Sequence, residues 1–283
     1  MKIPFTKAHG ARNDFLLSWR EELPPELLHD ANLHDRAAAA QAICERNTGV
    51  GADGWLLISR PESADSSAAV AADCSIALWN SDGSRSEISG NGTRCAAALL
   101  VSQGDDGGHA REDVRIATGA GVKELRLLHR DGNKFSFEMN MGRPHIEELH
   151  ASIEGRDATI LNVGNPQCGI FVENFDFDWA ALGARVERLP RFPQRTNVSF
   201  VRMLDRHTIE ARFFERGAGV TMSSGTGSTG AAAAALARGQ VESAVCVHTP
   251  AGPLHLRWEG AEIMLAGPAE IVARGEFYWE GSS

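Results

Sequence analysis

No run of about 18 apolar residues, the least that spans a bilayer as a helix, occurs in the 283-residue chain. The opening segment, MKIPFTKAHGARNDFLLSW, also lacks an apolar stretch of signal-peptide length, so the expected location is the cytoplasm. Positive charge is scarce: 28 Lys plus Arg stand against 37 Asp plus Glu, a formal net charge of −9. Nucleic acid and anionic membrane are therefore excluded as general partners, since both require a basic footprint. The five cysteines (Cys44, Cys74, Cys95, Cys168, Cys246) are odd in number and contain no CxxC pair, which argues against a disulfide framework and a thiolate zinc site. Walker A and G-x-S-x-G motifs are absent. His145 and His150 flank two acidic residues but match no zincin spacing, and are read as a solvated turn or strand edge. No metal or cofactor is expected. What is present, 43% hydrophobic and 23% charged residues, is the balance of a globular protein large enough for two modest domains.

The chain repeats itself. NSDGSRSEISGNGTRCAAALL begins at Asn80 and FFERGAGVTMSSGTGSTGAAAAAL begins at Phe213. With Ser224 placed 135 positions after Ser89, Gly90 falls on Gly225, Gly92 on Gly227, the alanines 96–98 on 231–233, and Asn80 on Glu215. A second echo follows each segment, TGAGVKELR from Thr118 and TPAGPLHLR from Thr249. Two echoes in one order indicate duplication. In each half, β-rich stretches (2–19, 54–58 and 72–79; then 158–172, 197–204 and 208–214) lead to one Gly-rich turn and a helix. Further strands follow each helix, at 114–117 and 122–128 and again at 243–248 and 254–258. Long βαβ alternation is absent. The expected fold class is therefore α+β, with two pseudo-symmetric domains of mainly antiparallel strands around a central helix. The expected boundaries are 1–133, completed by 268–283, and 134–267. Segments 60–67 and 104–111 read as surface loops, and Trp55 and Trp79 read as core.

Ser-Gly-Asn-Gly-Thr before Arg94 and Ser-Gly-Thr-Gly-Ser before Thr229 are loops that end at helix N-termini. Glycines let the backbone approach a ligand, and the unpaired N–H groups of a first helical turn favour an anion such as a carboxylate. The bland alternative is an ordinary N-cap by Ser. Two loops in matching register favour a functional pair gripping one small anionic ligand. GTGSTG at 225–230 is a literal G-x-G-x-x-G, but a Gly- and Ser-rich stretch precedes it and no acidic residue follows about 20 positions on, so dinucleotide binding is not expected.

These residues resemble the diaminopimelate epimerase family along nearly the whole chain. HGARNDF from His9, TGVGADG from Thr48, NSDGSRSE from Asn80, GNPQ from Gly164, RTNV from Arg195, ERGAG from Glu215, and the TPAG and AGPAE segments near the end occur in the family's order. The resemblance implies two domains of the diaminopimelate epimerase fold, each a small barrel of strands around a helix, with the site between them. It implies cofactor-independent conversion of LL- to meso-diaminopimelate, in lysine and cell-wall precursor synthesis, and a possible homodimer. It also implies a substrate carboxylate on the backbone of Gly90, Asn91, Gly225 and Thr226. The distal amino-acid end would be held by Asn13, Asn80, Asn165, Asn197 and Arg216, with Glu215 close to the reacting centre. Arg offers a fork to carboxylate and Asn offers donor and acceptor together.

One departure bears on mechanism. The family's two acid–base cysteines sit immediately before the Gly-rich loops, where this chain has Ser89 and Ser224, and its histidine after Gly-Asn-Pro is Gln167 here. An aliphatic hydroxyl is a far weaker acid than a thiol of pKa about 8.5, and each unit costs about 1.4 kcal/mol in forming the base. Three readings follow. The serines transfer the proton with help from Glu215 in a dry site, a carboxylate such as Glu215 or Asp14 drives another isomerisation, or the protein binds an amino acid without turning it over.

Overall fold

The computed structural model describes residues 1–28, 33–61, 72–104 and 112–281. The loops expected at 60–67 and 104–111 lie outside these residues, apart from Arg60, Pro61 and Gly104. The chain divides into two compact units, Met1–Phe137 with Pro268–Ser283, and Glu138–Gly267.

The first unit runs β1 (Lys2–Gly10), β2 (Asn13–Trp19), α1 (Pro25–Leu28), α2 (Leu33–Cys44), β3 (Gly54–Ser59), β4 (Cys74–Asn80), β5 (Arg85–Ser86), α3 (Gly90–Gln103), β6 (Asp113–Thr118), β7 (Gly121–Asp131) and the start of β8 (Lys134–Asn140). The second runs through β9 (His145–Ile153), β10 (Arg156–Asn162), β11 (Pro166–Phe171), α4 (Trp179–Glu187), β12 (Asn197–Asp205), β13 (Thr208–Glu215), β14 (Gly219–Thr221), α5 (Gly225–Ala237), β15 (Val245–Thr249), β16 (Gly252–Glu259) and into β17 (Glu262–Tyr278). The last residues of β17 return to the first unit, where Tyr278 to Glu270 pair antiparallel with Lys2 to His9.

Duplication is written into the pairing. In the first unit β1–β2 is antiparallel, β2–β3 parallel, β3–β4 and β4–β5 antiparallel, β4–β6 parallel and β6–β7 antiparallel. In the second, β10–β11, β11–β12, β12–β13, β13–β14, β13–β15 and β15–β16 follow the same succession of directions. The sheets are thus mainly antiparallel with two parallel pairs each, more mixed than the strand pattern alone suggests.

Composition explains what the sheets enclose. In α5 every residue from Gly225 to Ala235 is buried, and the helix touches β9 to β13, β15 and β16. α3 is buried from Gly90 to Leu99 and touches β1, β2, β3 and β6. A helix ringed by strands must be apolar all round and thin, because an eight-strand-sized barrel has little interior to spare. Alanine and glycine meet both demands. Outside each sheet lies a conventional core: Leu16, Trp55, Leu57 and Trp79 with Ala39, Ala40 and Ile43 of α2 in the first unit, and Ile160, Ile170, Val198 and Phe200 with Leu182 and Val186 of α4 in the second. Trp55 and Trp79 are core residues, as expected. Helices α2 and α4 and strands β8, β9 and β17 were not separable in the sequence. No helix among the described residues is long and apolar enough to cross a membrane.

Candidate active site

In the first unit Ser89 is the N-cap of α3: its extended backbone turns Oγ back to accept from Gly92 N at 3.1 Å, and its carbonyl accepts from Thr93 Oγ1 at 2.8 Å. The first helical turn has no intrahelical acceptor for its amides, so Gly90 and Asn91 carry the positive end of the helix. Asn91 is 1% exposed, and its Nδ2 donates to Asn13 Oδ1 at 3.1 Å. Asn13 in turn donates to Asp53 Oδ2 at 2.6 Å. The two-residue turn that delivers Asn13 holds Ala11 and Arg12 at φ 49° and 62°, the left-handed region that Asn-Gly normally fills, at about 1–2 kcal/mol per non-glycine residue. Gly10 completes the close approach, since a Cβ there would sit 3.1 Å from Asn91 Cα and O.

Asp14 does not fit the role of a base. Burial pushes its carboxyl up, but hydrogen bonds from Arg46 and Lys7 outweigh this and hold it below the ordinary aspartate range. Arg46 lies at 2.9 Å and Lys7 at 3.1 Å. It is an ionised anchor of the turn that carries Asn13. Asn80, at the end of β4, donates through Nδ2 to Ser84 Oγ at 2.9 Å and so braces its own turn.

In the second unit Ser224 caps α5 in the same way, accepting from Gly227 N at 3.0 Å, and is 2% exposed. Here the cap has a further partner. Ser224 Oγ donates to Glu215 Oε2 at 2.9 Å, while Thr221 Oγ1 donates to Glu215 Oε1 at 2.6 Å. The register explains this: Phe213 pairs with Thr221 and Glu215 with Gly219, so Thr221 and Glu215 are diagonal neighbours on one face of the β13–β14 hairpin. Asn165 Nδ2 donates to Thr226 Oγ1 at 3.4 Å, and Gln167 Nε2 donates to Asn165 Oδ1 at 2.7 Å. Gln167 Oε1 is buried without a partner among the described residues. Gln167 and Asn197 pair in register across parallel β11 and β12, and Asn197 Oδ1 accepts from Arg216 N at 3.0 Å. Gln167, Asn165 and Thr226; Asn197 and Arg216; and Thr221, Glu215 and Ser224 thus form three hydrogen-bonded groups in the second unit.

Cys44, Cys95 and Cys168 are poor substitutes for the serines. Burial pushes Cys44, Cys95 and Cys168 up to about 12, and Cys95 and Cys168 pack inside their units. Among the described residues no group of three or more His, Cys, Asp or Glu side chains converges as a metal site. A cleft of about 500 Å³ borders Trp179, Arg212, Thr221 and His248 and meets the three hydrogen-bonded groups only at Thr221. Sequence reasoning missed Thr221, Asp53 and Arg94. Asp53 and Arg94 lie inside the quoted blocks, but their roles depend on partners that the blocks do not reveal, Asn13 forty residues from Asp53 and Pro268 O 174 residues from Arg94, and Thr221 meets Glu215 across a hairpin.

The sequence profile of the diaminopimelate epimerase family matches residues 5–147 and 159–272. The chain belongs to this family. It is 36% identical to the diaminopimelate epimerase of Pelotomaculum thermopropionicum, over 96% of this chain and 98% of that protein. It is 32% identical to that of Halothermothrix orenii, over 98% of each. Among solved structures, a hydroxyproline epimerase from Agrobacterium vitis, with bound trans-4-hydroxy-L-proline, superposes with a TM-score of 0.75 at 16% identity, over 97% of this chain and 92% of that one. A methylitaconate-delta-isomerase superposes with a TM-score of 0.64 at 14% identity, over 98% and 95%. These two likenesses speak for the fold, which is that of the diaminopimelate epimerase family.

Proposed function

We propose that the protein is a cofactor-independent amino-acid epimerase that interconverts LL- and meso-diaminopimelate by 1,1-proton transfer, with Ser89 and Ser224 as its acid–base pair. The observation that carries the proposal is the hydrogen bond from Ser224 Oγ to the Glu215 carboxylate beside the α5 N-terminus. It answers the objection that a lone serine is too weak a base. As Oγ takes the Cα proton, its own proton passes to Glu215 Oε2, so no free alkoxide forms. The Cα–H bond breaks, a new O–H bond forms on Ser224, Glu215 becomes a carboxylic acid, and the electron pair stays at Cα. Amide N–H groups of the helix N-termini stabilise the charge that spreads into the substrate carboxylate. Ser89 supplies the proton of the opposite face and recovers it from solvent, with Gly92 N holding its Oγ in place. Asn13, Asn80, Asn165, Asn197 and Arg216 hold the distal amino-acid end.

Incubation with LL-diaminopimelate in D2O, without pyridoxal phosphate or metal, should place deuterium at the inverted centre. Absence of label at high enzyme concentration removes the activity. A second reading has one observation in its favour: the position matching Glu215 in the first unit is the neutral Asn80, so Ser89 has no carboxylate at the matching position. A one-base isomerisation of another small carboxylate would use Ser224 and Glu215 alone, and would leave diaminopimelate unlabelled at an inverted centre.

A further inference from the structure

Arg94 has no task in the mechanism above, yet it is among the largest side chains that the protein buries completely. A guanidinium removed from water loses several kcal/mol of hydration, which a carboxylate normally offsets. Among the described residues no carboxylate pairs with Arg94. Its Nε donates to Pro268 O at 3.1 Å, its Nη2 donates to Asn91 Oδ1, and its Nη1 is buried without a partner. Asp53 is joined to it by hydrogen bonds only at a distance, two amide side chains away through Asn91 and Asn13. Burial lowers Arg94 to about 10, so it remains a cation at neutral pH. The charge therefore lies against the first turn of α3, whose N-terminus is already positive. The matching position in the second unit, 135 residues on, is the neutral Thr229, and that loop borders the Glu215 carboxylate instead.

We propose that Arg94 is a positioning residue that makes the N-terminus of α3 the carboxylate-binding end of the site. Its charge is neutralised by an anion seated on the first-turn amides of Gly90 and Asn91, and not by a carboxylate of the described residues. The proposal rests on the reading above in taking that anion to be the carboxylate of an amino acid. A structural arginine and this one differ in what their removal does. Loss of a structural arginine lowers stability, whereas replacing a buried, uncompensated charge by a neutral group of similar size leaves stability unchanged or raises it.

Arg94→Gln and Arg94→Lys would be compared with the wild type by thermal unfolding without ligand, and by calorimetric titration with diaminopimelate. Acetate serves as a second, substrate-independent probe of unfolding. Arg94→Gln should melt at or above the wild-type temperature and bind diaminopimelate about tenfold or more weakly, a loss of about 1.4 kcal/mol or more. Acetate should raise the melting temperature of the wild type and of Arg94→Lys, but not of Arg94→Gln. If Arg94→Gln does not fold, Arg94→Met takes its place in the same measurements, and failure of both to fold overturns the proposal. It is overturned equally by a lower melting temperature in Arg94→Gln, by unchanged affinity, or by a wild type indifferent to acetate. A wild type stabilised by acetate but indifferent to diaminopimelate removes the proposed substrate and leaves the role of Arg94 standing.

Discussion

Replacing Glu215 by Gln isolates the proton acceptor from the scaffold that holds it. The carboxylate receives two hydroxyl donors, Thr221 at 2.6 Å and Ser224 at 2.9 Å. Glutamine preserves the shape but has one accepting oxygen. If that oxygen stays on the shorter bond to Thr221, Ser224 faces an NH2 group that cannot take its proton. The serine must then form an alkoxide unaided. Losing a positioned general base removes about 10²–10⁴ in rate, or about 2.7–5.4 kcal/mol of barrier lowering. Folding should change little, because Glu215 is only half-buried and one donor keeps its acceptor. The assay is Cα–H exchange of diaminopimelate in D2O by NMR, with the dissociation constant measured separately. A fall in kcat within that range with affinity held within about threefold is the expected result. Exchange by Glu215→Gln at close to the wild-type rate would refute the coupling of Ser224 to Glu215, and with it the account of how a serine can serve as the base.

Further outcomes follow from the same geometry. Cysteine at both Ser89 and Ser224 should raise the exchange rate by about 100-fold or more, since a thiol starts several pK units closer to the working pH; no gain would show that the hydroxyls are not the proton carriers. Thr221→Val should lower kcat by about tenfold with little change in affinity, and Thr221→Ser should restore it, as expected for a donor that orients a carboxylate. Gly227→Ala would place a Cβ 2.7 Å from Phe213 Cδ1 and 2.9 Å from Ser224 Oγ, so unfolding should be easier by about 1–3 kcal/mol and exchange should fall further than stability does. Asp14 is held below its unfolded value, so its contribution to stability is present above that value and is lost as pH falls through the folded one. The stability gap between wild type and Asp14→Asn should therefore be full near neutrality and should narrow as pH drops below about 4, which chemical unfolding at a series of pH values would reveal.

Much of the architecture was legible because duplication leaves a periodic trace. Ser89 and Ser224 cap equivalent helices at the expected spacing, and the alanine runs that follow them have no other use than to fit inside a ring of strands. Other elements were silent. Helix α2 and strand β17 gave no clean period: α2 has a run of four alanines at its centre, and β17 passes from one unit to the other, carrying Gly267 and Pro268 in its middle.

Sequence by itself determined the residue types at the site, the doubled loop–helix plan and the family, since each of these depends on local order along the chain. Tertiary structure alone decided that Asn80 braces its own turn, that Asp14 is locked by cations, that Thr221 and Ser224 converge on Glu215, and that Arg94 is buried with no carboxylate beside it among the described residues. The physical reason is that basicity, orientation and the cost of a buried charge are set by neighbours within about 4 Å. Which neighbours those are depends on strand register and chain return, and composition carries no record of either.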